Sequence, residues 1–355
     1  GWALAHHGHD TRPGQLCGLG QATPIRRPAH RLSQPLRTAH NENSVTTKQK
    51  LLIDTDPGVD DALALLMALR HPRAEVVGIT VTAGNVGLAH TTRNALTLVE
   101  RCGLDVPVFV GADRPLVWPS VDAAFVHGSD GFGDAGLPAP ERKAEREHAV
   151  QAILRLSREH AGELTLVTLG PLTNLALALR LDPSLPERIP RLVVMGAAVT
   201  GLGNITASAE FNIYFDPEAA KVVFDAWPSF ELVDWEATLA HALPDAEFGR
   251  WLAEGGELAR FYDAISTQTR AFIRQHHADT FHSADALAMA VVLEPSIGGE
   301  IRRHRVEVEV AQGLYRGATR VDWDSRDPRG PNAAIVGRID VPRFHALLRM
   351  ALGLG

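Results

Sequence analysis

Asp54-Thr55-Asp56-Pro57-Gly58-Val59-Asp60-Asp61 packs four carboxylates into eight residues. Ionised groups this crowded repel one another, and a hard divalent cation is their natural counter-charge. Helix capping accounts for part of the pattern, because Asp at a helix N-terminus is favoured by hydrogen bonding and by the dipole. Capping does not require a turn that is acidic at both Asp54 and Asp56.

The flanking residues say what must hold these groups. Leu51-Leu52-Ile53 leads in and Ala62-Leu63-Ala64-Leu65-Leu66-Met67 leads out, a buried strand, a Pro-Gly turn and then a helix. The acids therefore fall at the carboxyl edge of a strand and in the first turn of a helix, where ligand crevices of open α/β sheets form. The alternation continues. Val76-Val77-Gly78-Ile79-Thr80-Val81 is a continuous apolar run of the kind parallel strands show. Further strands are predicted over 106–110, 164–169, 192–195 and 231–233. Helices are predicted over 88–101, 147–160, 171–179, 245–276 and 285–293, and from Val341 onward. Asp216-Pro217-Glu218 opens one more, with Asp216 as N-cap and Pro217 in its first turn. Segments 306–310, 319–322 and 333–336 read as added strands. The expectation is a single Rossmann-like α/β domain over 49–355, its mostly parallel central sheet flanked by helices, with extra C-terminal strands.

Length and composition set the bounds. A chain of 355 residues with 45% hydrophobic and 22% charged residues can bury a large core. A net charge of −7 leaves no basic footprint for a nucleic-acid polymer. No apolar stretch is long enough to cross a bilayer. Cys17 and Cys102 make no disulfide framework and suit a reducing, cytoplasmic setting. Residues 1–48 stand apart: five arginines, several histidines, only Asp10 and Glu42 as acids, and no hydrophobic period. They read as a disordered or leader-like extension, which leaves organellar targeting open.

The stretch Asp54-Thr55-Asp56-Pro57-Gly58-Val59-Asp60-Asp61-Ala62 resembles the N-terminal signature of the nucleoside hydrolase family, inosine-uridine-preferring type. Similar motifs follow in order: Thr82-Ala83-Gly84-Asn85-Val86, His127-Gly128-Ser129-Asp130-Gly131, Leu169-Gly170-Pro171-Leu172-Thr173-Asn174, Val194-Met195-Gly196, Ala209-Glu210-Phe211-Asn212 and Asp285-Ala286-Leu287-Ala288. The resemblance covers roughly residues 50 to 350. It implies Ca²⁺-dependent hydrolysis of the N-glycosidic bond of ribonucleosides by a homodimer or homotetramer. Asp56 would be the general base and would touch the metal. Asp61, Asp285 and the backbone carbonyl of Leu169 would be the other metal ligands. Asp60 would bind a ribose hydroxyl, Asn85 would stand beside the water and ribose, and Glu210 and Asn212 would hold the ribose hydroxyls. His127, Asn204 and Met195 would line the same pocket. Asp54 would orient the others through hydrogen bonds.

The chain departs from the pattern at Ala284. Many members of the family place a His there, before the late Asp, to protonate the leaving base. His282 and Tyr262 are the candidates for that task here, with His282 set two residues earlier and facing the same way as Ala284 in an extended segment. His276 and His277 read as surface residues. Val126 stands where an aromatic-stacking subtype carries Trp. Two other readings stay open: a non-catalytic ribose- or nucleoside-binding module, and a hydrolase of a related ribosyl compound.

Overall fold

The apolar run before Asp54 forms a strand buried between neighbours on both sides, and the rest of the sheet grows outward from it. The computed structural model describes residues 48–277 and 279–354. The expectation for 1–48, and Cys17 with it, therefore falls almost wholly outside the described residues. The strands are β1 (Gln49–Thr55), β2 (Ala74–Val81), β3 (Val108–Val110), β4 (Leu164–Thr168), β5 (Arg191–Met195), β6 (Phe230–Val233), β7 (Leu243–Pro244), β8 (Thr280–Phe281), β9 (Gly298–Val308), β10 (Thr319–Asp322) and β11 (Ala333–Ile339). The helices are α1 (Val59–Arg70), α2 (Leu88–Arg101), α3 (Ala124–His127), α4 (Ala149–Glu159), α5 (Thr173–Leu181), α6 (Leu185–Arg188), α7 (Phe211–Phe215), α8 (Pro217–Ala226), α9 (Trp235–Ala240), α10 (Asp245–Glu254), α11 (Glu257–His277), α12 (Ala284–Leu293) and α13 (Val341–Ala351).

Nine strands form one sheet in the order β10-β9-β11-β6-β5-β4-β1-β2-β3. From β3 to β11 all neighbours pair parallel, whereas β9 is antiparallel to both β11 and β10. The expected parallel sheet with added C-terminal strands is what forms. Chain order reverses at β1: β2 and β3 lie to one side of it, β4 and its successors to the other. Asp56 follows the end of β1, and Leu169 the end of β4. Both thus stand at the topological switch point, where such sheets bind ligands.

Helices cover both faces. One apolar cluster joins the sheet to α1, α2, α12 and α13, the other joins it to α4, α5 and α8. Helix α12 is buried on every side, so its sequence Ala-Asp-Ala-Leu-Ala-Met-Ala-Val-Val-Leu is apolar apart from Asp285. It packs on α1. Asp60 and Asp61 lie in the first turn of α1 and Asp285 in the first turn of α12. No helix among the described residues is long and apolar enough to cross a membrane.

Candidate active site

Beyond the carboxyl edge at β1 and β4 lies a cavity of about 340 Å³. Its floor is polar: Asp60, Asn85, Glu210, Asn212, Asp285 and the backbone of Leu169. Ligand oxygens of Asp60, Asp61 and Asp285 come within 4.8 Å of one another. Asp61 is anchored by Thr55 Oγ1 at 2.5 Å, the Gly58 amide at 3.0 Å and Asn85 Nδ2 at 2.9 Å. Asp56 is completely enclosed. Its Oδ2 accepts the Asn85 amide at 2.7 Å, while its Oδ1 has no protein partner. Two glycine backbones press on this carboxylate. A Cβ at Gly84 would collide with its Oδ2, and one at Gly170 with its Oδ1. Only glycine lets the loops after β2 and β4 close on Asp56 from opposite sides.

Burial raises the pKa of each aspartate in this cluster. Asp56 is held well above the ordinary carboxylate range by burial and then by the neighbouring Asp61. Asp285 is raised well above it by burial and by Asp60, Asp61 and Asp56. Desolvation pushes Asp60 up to about 6, and burial with the charge of Asp60 raises Asp61. Negative charge concentrated this way, with unpaired oxygens on Asp56 and Asp60, fits an oxygen-preferring divalent cation. The two helix N-termini add positive dipole ends to the same floor.

Asp54 differs. It lies inside the sheet, its Cα in register with Thr80 of β2 and Thr168 of β4. Its Oδ1 accepts Thr80 Oγ1 at 2.6 Å and Asn174 Nδ2 at 2.9 Å. Burial pushes it up to about 7 against those bonds.

His127 ends α3 rather than sitting in an open loop. Its Nδ1 accepts the Val59 amide at 3.1 Å and lies 3.9 Å from Asp60 Oδ1. Burial lowers its pKa to about 4, so the ring is neutral and carries its proton on Nε2. Glu210 and Asn212 reach the cavity, but not from an extended segment. Glu210 is the N-cap of α7 and Asn212 lies in that helix. The Glu210 carboxylate bends back to accept the amides of Asn212 (2.9 Å), Ile213 (3.2 Å) and Ala197 (3.0 Å). Satisfying three amides at once turns the chain into a helix here in place of an extended segment. Asn212 Nδ2 donates to the Leu169 carbonyl at 2.6 Å and contacts Met195 Sδ at 3.2 Å. Asn204 Oδ1 accepts the Phe211 amide at 2.9 Å.

The outer wall is apolar and aromatic. Phe125, Phe211, Trp235, Phe272 and Ile273 line it, although Val126 occupies the position read for an aromatic. Phe125 meets Phe272 edge-on at 5.7 Å, and His276 stacks on Phe272 at 4.2 Å. Thr269 Oγ1 donates to the Val126 carbonyl at 2.9 Å and pins α11 to α3. His276, set aside as a surface residue, is exposed yet lines the cavity. Sequence spacing does not reveal this, since it depends on α11 packing against α3. His282 lines the cavity with Ala284 and stands edge-on to Trp235 at 5.2 Å. Tyr262 does not line it. Its ring is buried in the core, 5.9 Å from the ring of Phe248, and burial followed by the charge of Asp60 raises its pKa. Gly84, Gly170 and Thr55 also went unassigned as site residues, though both glycines lie within motifs at strand ends.

Fold and cavity together are those of an α/β protein with carboxylates at the sheet's switch point and an aromatic wall facing them. The chain belongs to the inosine-uridine preferring nucleoside hydrolase family, whose model matches residues 51–346. It is accordingly an N-ribosyl hydrolase. A probable uridine nucleosidase 1 of Oryza sativa subsp. japonica is 36% identical over 325 residues, covering 87% of this chain and 98% of the relative. Among solved structures, a plant nucleoside hydrolase, the PpNRh1 enzyme, superposes with a TM-score of 0.80 at 30% identity. An inosine-guanosine nucleoside hydrolase does so with 0.80 at 32%. Each match covers 86% of this chain and 99% of the other.

Proposed function

We propose that the enzyme hydrolyses ribonucleosides with Asp56 as the base that activates water, the ribose seated on the carboxylate floor and the nucleobase against the aromatic wall. The observation that carries this reading is the enclosure of Asp56: one oxygen held by the Asn85 amide, the other unpaired, and glycine on both sides. A carboxylate in a fixed position with one unpaired oxygen suits removal of a proton from water as it attacks C1′.

Calcium is the proposed metal. Asp56, Asp61, Asp285 and the Leu169 carbonyl would hold it, with Asp60 at its edge. Bound there, the cation would polarise water and ribose hydroxyls. Thr55 and Asn85 fix the orientation of Asp61, and Asn85 also fixes Asp56. Asp60, Glu210, Asn212 and Asn204 are proposed to receive the ribose hydroxyls. His127 offers them an Nε2–H from a neutral ring, and Met195 packs beneath the sugar. Positive charge developing on the ribose is stabilised by the surrounding carboxylates. The names of the relatives divide between uridine and inosine or guanosine. The proposed substrate class is therefore the ribonucleosides as a whole.

A reducing-sugar assay over purine and pyrimidine ribonucleosides tests the reading. Ribose release should stop with chelator, return with Ca²⁺, and be lost in Asp56→Asn. Release that persists undiminished in chelator, or in that variant, would overturn the metal or the base assignment respectively.

A further inference from the structure

We infer that His276, at the end of α11, is the acid that protonates the departing nucleobase. The inference rests on the proposed placement of ribose on the floor and base at the wall. Loss of the base requires a proton at the base as the C1′–N bond breaks, and Ala284 supplies none. Three histidines line the cavity: His127, His276 and His282. His127 is excluded by its bonding. Its Nδ1 accepts the Val59 amide, so the ring is neutral and its remaining N–H is not an acidic one.

His276 has the opposite arrangement. Its Nδ1 lies 2.9 Å from the Phe272 carbonyl, which can only accept, so Nδ1 carries a hydrogen. The ring is thereby oriented with Nε2 left to take a proton from solvent, and its exposure gives it access to that solvent. It stacks on Phe272 with 27° between the planes, and Phe272 packs edge-on against Phe125. These rings give the cavity an apolar aromatic side against which a nucleobase would pack. An acid in that wall meets the ring nitrogens of the base, whereas the carboxylates meet the sugar. His282 lines the same wall, edge-on to Trp235 and near the start of α12, and the experiment below separates it from His276.

The step balances. Water oxygen bonds to C1′ while its proton passes to Asp56. The C1′–N bonding pair leaves with the base, and the Nε2 proton of the His276 imidazolium is transferred to it. Solvent then reprotonates His276, and Asp56 returns its proton to solvent.

Two substrates separate this role from a structural one: uridine or inosine, which need the proton, and 4-nitrophenyl riboside, whose leaving group does not. In His276→Ala the ratio of kcat on the nitrophenyl riboside to kcat on the natural nucleoside should rise by about 10² or more. His276→Gln, which keeps polarity but has no acid, should show the same rise. An unchanged ratio in both variants overturns the assignment. So does a rise of that size in His282→Ala with none in His276→Ala, which moves the acid to His282. A wild-type enzyme that cleaves neither substrate fails the functional reading itself, a result distinct from either.

Discussion

The floor and the wall of this cavity are built by different rules. Around the floor two acids are held by backbone or by buried side chains: Asp61 by Thr55, Gly58 and Asn85, Asp56 by Asn85 and two glycines. These groups sit on strand ends and helix starts that belong to the core of the sheet. The wall is carried by the short helix α3 and the far end of α11, joined through Thr269 and the Phe125–Phe272 contact. Phe125 is 55% exposed, while Asp56 is 1% exposed. Parts that must hold charge in a fixed geometry lie on rigid elements, and the part that meets variable bases lies on the rim. Changes to the floor should therefore alter turnover on every substrate, and changes to the apolar side chains of the wall should alter preference.

The largest effect is expected from Asp56→Asn, because an amide cannot accept the water proton. Turnover should fall by about 10² to 10⁴ or more with a smaller change in KM. Retention of near wild-type kcat would remove Asp56 as base.

Gly170→Ala and Gly84→Ala test whether position alone matters. Each leaves every acid in place but pushes a methyl into the Asp56 carboxylate. A displacement on the order of 1 Å should cost about 10² in kcat while the thermal midpoint moves little. If kcat is untouched in folded variants, the enclosure of Asp56 is incidental.

Asp61→Ala and Asp285→Ala should each weaken Ca²⁺ binding about tenfold or more, and substrate affinity should fall with it. Calorimetry finding full calcium affinity in both variants would sink the metal assignment.

On the wall, Phe272→Ala should raise KM for nucleosides about five- to tenfold, as loss of one aromatic contact worth ~1 kcal/mol would. The shift should differ between purines and pyrimidines while kcat is largely kept. An equal loss of kcat for every substrate would show that the wall also shapes the floor.

The smallest effect is expected from Asp54→Asn. The amide oxygen can still accept from Thr80 and Asn174. Less than a tenfold loss of kcat is expected by the same assay. A loss matching that of Asp56→Asn would erase the distinction between these two acids.

That distinction marks where local reading ends. Asp54 and Asp56 have the same chemistry and almost the same neighbours in the chain. The strand ends at Thr55, so Asp54 is paired on both sides by β2 and β4, while Asp56 falls on the turn that follows. Strand order decides this, and strand order comes from packing among distant segments. The wall is a further case, since Val126 and Thr269 meet across 143 residues. Glu210 is a third: its carboxylate turns to cap α7 because three amides need a buried acceptor.

What the sequence determined by itself is what local chemistry can encode. Continuous apolar runs specify parallel strands, Pro-Gly and Asp-Pro specify turns and helix starts, and clustered acids call for a cation. From these came the alternating α/β sheet, the position of the acids at a strand edge, and the family resemblance. Only the tertiary structure decided that Asp54 is bonded inside the sheet while Asp56 is confined by Gly84 and Gly170, and that His276 joins the cavity lining. Each of those depends on groups far apart in the chain arriving at one point, which no spacing along the sequence records.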